Sequence, residues 1–407
     1  MTTSQATAQT SAARPVLILD APALLADPAL LAVLDALPPA RLVGGSVRDT
    51  LAGRPVSDID LAVPWPPAQV MQALGQAGLR AIPTGLAHGT VTALSAGRGF
   101  EVTTLRRDED TDGRHARVAW TEDWRQDAAR RDFTINALSM TRAGEVFDYF
   151  AGIADLRAGR VRFVGDAAAR VAEDRLRALR FFRFQARYGR GAPDPAATAA
   201  IAAQVADLRQ LSAERVWTEL RLILSLPDPS DSLRLMADLG VLATILPGSR
   251  AESLLAALAA GIPADPVLRL AVLITGDGAA EAELLRLSGS ERDRLLALRR
   301  QPPIADPSPD DATLRRLLAD TPASLLIGGL WVAGAFGPQW DKLRERLARM
   351  PRPVFGLEGR DALALGLPPG PRVGALLRAV RDWWRNGGCV ADPAACRAEL
   401  ARRAAEG

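Results

Sequence analysis

The stretch Arg41-Leu42-Val43-Gly44-Gly45-Ser46-Val47-Arg48-Asp49 decides the fold, read together with Asp58-Ile59-Asp60-Leu61-Ala62-Val63 beyond it. Arg41 to Val43 is a brief apolar strand stopped by two glycines. Ser46 can cap a helix that runs through Leu51 and that Gly53 ends. Glycines at a strand-to-helix turn let backbone N–H groups approach an anion, and the helix start adds positive potential. Gly45 sits in that turn. Arg48 follows on the first helical turn, where a guanidinium can hold a phosphate through two parallel bonds. An ordinary tight turn has the same appearance. The second stretch alternates as a strand does, and residues two apart in a strand share a face. Asp58 and Asp60 then point one way while Ile59 and Leu61 face the core. Two carboxylates on one strand edge suit Mg²⁺, a hard cation that takes oxygen ligands and keeps substrate phosphates in its shell. A solvated strand end is the plain alternative. Position favours the metal, because the strand can return beside the glycine turn.

Three further clusters carry chemistry. Glu101 lies inside Phe100-Glu101-Val102-Thr103-Thr104. An acid within a β-rich run faces either solvent or a metal, so Glu101 is a third carboxylate if its strand neighbours the Asp58 strand. In Arg130-Arg131-Asp132-Phe133-Thr134-Ile135-Asn136-Ala137 the apolar positions read as core. The arginines can hold a triphosphate and Asp132 a ribose hydroxyl, or the three charges form a surface ion-pair cluster. In Glu173-Asp174-Arg175-Leu176-Arg177-Ala178-Leu179-Arg180, helical spacing puts Asp174, Arg177 and Arg180 on one face. Such pairs are commonly solvated. The functional reading is that a carboxylate accepting from an amino group, beside a guanidinium donating to a ring nitrogen, accepts cytosine and adenine. Guanine and uracil would leave those groups unpaired.

Composition narrows the class. The 407 residues are too many for one core, and 48% hydrophobic with 24% charged residues describes a folded globular chain. Arginine supplies 49 of the 50 basic residues and Lys342 is the single lysine. It follows no glycine loop, so a Walker A site is excluded, and Schiff-base chemistry is equally unsupported. Two histidines, His88 and His115, exclude a His-rich metal centre and a His-Asp phosphohydrolase module in the C-terminal two thirds. Cys389 and Cys396 are too few for a zinc site or a disulfide framework and fit a reducing cytoplasm. Met1 to Ala13 lacks a signal peptide's basic start and apolar run, and Leu325 to Phe336 is too short to span a bilayer. Net charge is −3 over residues 1–150, +5 over 151–225 and +1 beyond. An acidic metal site beside a basic phosphate-binding stretch produces that split, as does a random surface.

The pattern changes near residue 155. Before it, short strands and helices alternate: Pro28 to Leu37 and Pro67 to Ala77 read as helices, and Thr90 to Leu94, Phe100 to Thr104 and Val146 to Tyr149 as strands. After it, Val171 to Tyr188, Pro195 to Leu208, Ala213 to Leu224 and Ser232 to Leu239 carry helical periodicity, and no strand pattern recurs beyond 165. The expected fold class is α+β: a small mixed sheet with helices as head, then an elongated all-α remainder.

The motifs together resemble the class II tRNA nucleotidyltransferases, the CCA-adding enzymes with their bacterial poly(A) polymerase relatives. The resemblance rests on Leu42 to Asp49, Gly53 to Asp60, His88-Gly89-Thr90, Glu101 to Arg106, Arg130 to Ala137 and Glu173-Asp174 with Arg177, and spans residues 40–225. It implies a polymerase-beta-like nucleotidyltransferase head followed by neck, body and tail. The divisions are a disordered tail at 1–14, a head at 15–155, a neck reading the base at 156–225, and a body and tail holding tRNA at 226–407. It implies Mg²⁺ at Asp58 and Asp60 with Glu101 in the catalytic set. Nucleotide contacts would come from Gly45, Arg48, Arg131, Asp132, Asp174, Arg177 and Arg180. Arg106 to Trp120, including Asp112-Gly113-Arg114-His115, resembles the family's flexible loop, although Ala116 stands where Pro often follows that histidine. Ser212-Ala213-Glu214-Arg215 resembles a motif closing the neck, and Gly366 to Gly374 a tail segment. The implied substrates are CTP, ATP and the acceptor end of tRNA, with neither DNA nor membrane as partner. Poly(A) addition, A-only addition and a catalytically dead binder are the alternatives.

Overall fold

A computed structural model describes residues 14–20, 22–111 and 116–406, with side chains outside 108–118. The tail expected at 1–14, apart from Arg14, and Asp112-Gly113-Arg114-His115 of the expected loop lie outside the described residues. The chain divides into two compact units. The first is Met1–Ser212 with Leu235–Ile245, and the second is Ala213–Arg234 with Leu246–Gly407.

The first unit holds all ten described strands: β1 (Leu17–Ile18), β2 (Arg41–Val43), β3 (Asp60–Val63), β4 (Arg80–Gly85), β5 (Thr90–Ser95), β6 (Arg98–Thr104), β7 (Arg106–Thr111), β8 (Ala116–Trp120), β9 (Leu138–Met140) and β10 (Glu145–Asp148). Eight form one sheet in the order β1-β10-β9-β2-β3-β6-β5-β4, and β7 with β8 forms a separate hairpin. The pairing β3–β6 is parallel and the other pairings are antiparallel. The main core lies on one face of the sheet. Leu61, Val63, Val91, Ala93, Phe100 and Val102 meet there, with Leu30, Val33, Leu34 and Leu37 from α1 (Pro28–Ala36) and its C-cap. Helical spacing of those leucines and valine explains why this segment is a helix, and the Asp27 carboxylate capping the Ala29 N–H with Pro28 following explains where it starts. Strand alternation puts Asp60 with Ala62, and Glu101 with Thr103, on the opposite face.

Further helices of this unit include α2 (Gly45–Leu51), α3 (Pro67–Gln76), α4 (Trp124–Ala129), α5 (Gly152–Ala158), α6 (Ala167–Glu173), α7 (Leu176–Tyr188) and α8 (Pro195–Ala203). Three local expectations are corrected. Asp58 precedes β3 rather than lying in it. Ser46 does not cap α2: Gly44 is the N-cap, and the Ser46 hydroxyl donates back to the Val43 carbonyl at 3.0 Å. The helix expected over Val171 to Tyr188 breaks at Asp174, which is extended (φ −150°, ψ 105°) and accepts from the Leu176 N–H at 3.1 Å. A short polar side chain that bonds the backbone two residues on competes with the helix in this way. Aromatic packing fixes α7: Phe133 stands 4.9 Å from Phe163 and 5.0 Å from Phe184, ring centre to ring centre.

Every regular element among the described residues of the second unit is a helix, with apolar clusters around Leu314, Leu330 and Leu347 and around Val380, Trp384 and Leu400. Arg269, 1% exposed, donates to the carbonyls of Leu224, Leu226, Pro227, Ile262 and Pro263. Pro371 opens the helix Pro371–Asn386 directly after the Gly366–Gly370 segment. No described helix is long and apolar enough to cross a membrane.

Candidate active site

The parallel register of β3 and β6 sets Asp60 beside Glu101. Both are exposed on the face away from the core, and Asp58 stands two residues ahead, where it accepts from the Ser57 hydroxyl at 3.2 Å. Desolvation, then the Glu101 charge, then that of Asp58 push the Asp60 carboxyl above the ordinary aspartate range, and the Arg131 guanidinium opposes them. Uncompensated negative charge at an accessible edge is the setting a divalent cation relieves. Among the described residues no three His, Cys, Asp or Glu side chains form a metal cage. Mg²⁺ takes one or two carboxylates and completes its shell with water and phosphate oxygens, and the outward-facing Asp60 and Glu101 offer carboxylate oxygens of that kind.

The glycine turn leaves room for the Arg131 guanidinium, whose charge acts on Asp60. Gly44 has φ +65° and ψ −120°, and its N–H donates to the Leu138 carbonyl at 3.1 Å. A Cβ there would lie 2.9 Å from Arg131 Nη1. Only glycine accommodates both the dihedral and the guanidinium. Gly45 opens α2. Arg131 is held by the buried Asp127 carboxylate at 3.2 Å, and Arg130 donates to the same group at 2.9 Å. Burial alone would raise Asp127, but the two guanidiniums outweigh it and hold the group below the usual carboxylate range.

A buried polar chain runs through the rest of the set. Arg180 donates to Asp132 through Nε at 2.7 Å, and its Nη2 is ion-paired with the same carboxylate at 2.6 Å. The other Asp132 oxygen accepts from the Phe133 N–H at 2.8 Å and the Asn136 amide at 2.9 Å. Asn136 accepts from Arg48 at 2.5 Å. Arg48, itself buried, pairs with both oxygens of Asp49 at 3.1 and 2.8 Å and lies 4.4 Å from the Tyr188 ring centre. Tyr188 donates to Asp49 at 2.6 Å. Burial, assisted by that carboxylate, pushes the Tyr188 phenol up to about 12. Burial also works to raise Asp132, and Arg180 with the amide donors more than offsets it.

Asp132 accepts three hydrogen bonds from its own chain and is ion-paired with Arg180, and Arg48 is engaged by Asp49 and Asn136 in the interior. Arg180 shares the Asp132 pair. Arg177 opens α7, donating to Glu173 at 2.5 Å and to the carbonyls of Arg170 and Arg130 at 3.2 and 3.1 Å. Asp174 stands at the helix break beside it. Sequence reasoning missed Asp127, Asn136, Asp49 and Tyr188. The Asp127 spacing of three and four to Arg130 and Arg131 was the one readable signal.

Comparison with known proteins agrees with the site. Residues 40–162 match the family described as the Poly A polymerase head domain, and residues 192–252 match the "Probable RNA and SrmB- binding site of polymerase A". The chain is 36% identical over 380 residues to CCA tRNA nucleotidyltransferase 1, mitochondrial, of Homo sapiens, covering 86% of this chain and 83% of that protein. It is 33% identical over 367 residues to the CCA-adding enzyme of Geobacillus thermodenitrificans, covering 85% and 88%. The Bacillus stearothermophilus CCA-adding enzyme, solved in complex with CTP, aligns with a TM-score of 0.73 at 26% identity over 95% of this chain and 99% of that one. The Thermotoga maritima CCA-adding enzyme, solved with tRNA, shares the fold at a TM-score of 0.66 and 19% identity, covering 95% and 100%. Near-full-length likeness in sequence and fold, on a head that sets two strand carboxylates against Arg131, places the chain in the CCA tRNA nucleotidyltransferase family, the CCA-adding enzymes.

Proposed function

We propose that this protein adds C, C and A in turn to the 3′ end of tRNA from CTP and ATP, without a template and with release of pyrophosphate. The convergence of Asp60, Glu101 and Arg131 at the Gly44 turn carries the reading: an anionic edge that takes a cation, next to a guanidinium that takes the phosphates of an incoming nucleotide. Asp58 and Asp60 would hold Mg²⁺, with Glu101 adjoining, and the ion when bound supplies Lewis-acid stabilisation of charge developing on the phosphoryl oxygens and the leaving group. The protein's own part is positioning and electrostatics. Arg131, oriented by Asp127, offers a preset fork to the nucleotide phosphates, and the Gly44–Gly45 backbone leaves space for them. Asp174 and Arg177, at the α6–α7 break, are the proposed base-reading pair. Arg180, Asp132, Asn136 and Arg48 hold the surrounding frame.

The divisions at 155 and 225 belong to this proposal as functional boundaries, with base reading in the neck and tRNA grip in the body and tail. A cytoplasmic location is inferred from the two free thiols, Cys389 and Cys396, both buried. Poly(A) addition would use the same head. Labelled CTP incorporation into a trimmed tRNA tests the reading. Asp58→Ala should abolish incorporation with the circular dichroism unchanged, and near-normal turnover would refute it. Arg177→Ala should relax the choice of C and A, and unchanged selectivity would remove Arg177 from base reading.

A further inference from the structure

A cavity of about 620 Å³ opens within the first unit at the far end of α2 from the glycine turn. That volume lies in the range of small-molecule sites. Its lining combines two chemistries. Leu17, Leu19, Leu51, Ile153 and Leu156 form an apolar wall, with the Tyr188 ring beside them. Arg54, Arg157, Arg187 and Arg190 supply four cations, and no carboxylate lines the cavity among the described residues.

Helix ends explain part of this charge. Thr50 to Ala52 lie at the end of α2, Leu156 with Arg157 at the end of α5, and Arg187 to Gly189 at the end of α7. Three sets of terminal carbonyls therefore meet here. Arg190 donates to the carbonyls of Leu156 and Arg157 at 3.5 and 2.5 Å, and Arg54 to that of Arg187 at 2.8 Å. Each helix end carries about half a negative charge. Asp49 behind the wall adds one more, and it stands 3.9 Å from Arg187. Four guanidiniums exceed that total, and each brings five N–H donors of which few are engaged. Arg157 is exposed, and its side chain has no partner among the described residues.

We propose that this cavity binds a phosphate group carried on a flat apolar body, as in a nucleotide. The surplus guanidinium donors match phosphate oxygens. The leucine wall, beside a Tyr188 ring that Arg54 covers at 4.9 Å and Arg187 at 5.4 Å, matches the apolar faces of a base. The site is separate from the Asp60 edge, and only the second equivalent in the test below rests on the proposed function.

Equilibrium dialysis of radiolabelled ADP against the full-length protein in EDTA tests it. The wild type should bind two equivalents. Arg157→Glu should lose one, with at least a tenfold weakening, while CTP incorporation stays within twofold. Arg157→Lys should retain that equivalent within threefold. Arg131→Ala should lose the other equivalent. Adding tRNA separates the sources of phosphate: displacement of the Arg157-dependent equivalent identifies an RNA phosphodiester as the occupant, and its persistence a free nucleotide. Unchanged ADP binding in Arg157→Glu, or a single equivalent that Arg131→Ala abolishes, would overturn the proposal.

Discussion

Replacing Asp132 by Asn keeps the side-chain shape and removes its charge. The wild-type carboxylate is nearly buried, with an 8% exposed side chain, accepts three hydrogen bonds, one of them from Arg180, and forms an ion pair with the same guanidinium. An amide presents two hydrogens to donors that need acceptors, and leaves the guanidinium without its counter-charge. Removing one partner of a fully buried pair costs about 3–5 kcal/mol. The Arg180 side chain is 33% exposed, so water takes over part of the loss. A cost of about 2–4 kcal/mol remains, or roughly 5–15 °C in the melting temperature of a unit this size. The sign with pH follows from the Asp132 carboxyl being held below its unfolded value. Its contribution is full above about pH 4, where the unfolded chain is also ionised, and fades as pH falls through the folded value. Thermal melts of wild type and Asp132→Asn should therefore differ widely at pH 7 and converge in acid. A pH 7 difference below about 0.5 kcal/mol would refute the claim that this carboxylate anchors Arg180.

Gly44→Ala puts a side chain on a backbone conformation that favours glycine and 2.9 Å from Arg131. It should cost about 1–3 kcal/mol and lower nucleotide incorporation at least tenfold, whereas activity within twofold would show that Arg131 does not work at that turn. Asp60→Asn should raise the melting temperature in EDTA while abolishing incorporation. A folded-state carboxyl held above its unfolded value destabilises the protein once pH exceeds both values, so removing the charge relieves that cost at neutral pH; a lowered melting temperature would contradict this. Arg269→Met should destabilise the second unit by about 3–5 kcal/mol, since five carbonyls lose their donor. Limited proteolysis should show increased cleavage in residues 246–406 with the first unit unaffected, and equal cleavage in both would refute the assignment.

Legibility in the sequence followed the range of the interactions. The Asp60–Glu101 pair was readable because strand parity places each acid opposite its apolar neighbours, and only the pairing of the two strands had to be assumed. The strand β4, with an irregular mix of exposed and half-buried positions, and β9, buried at every position, gave no alternation to read. The break at Asp174 was hidden because apolar spacing continues across it. Tyr188 was invisible for another reason: its carboxylate partner, Asp49, lies 139 residues away. Asn136 bonds Asp132 four residues before it, but its link to Arg48 spans 88 residues and has no local mark.

The proposed reaction is tested most directly by sequencing what the protein adds to a tRNA lacking its terminal CCA when CTP and ATP are both supplied. The expected product carries C, C and A, in that order, with no further addition. A run of A residues, a single A added only where CC is already present, or no addition at all would contradict it.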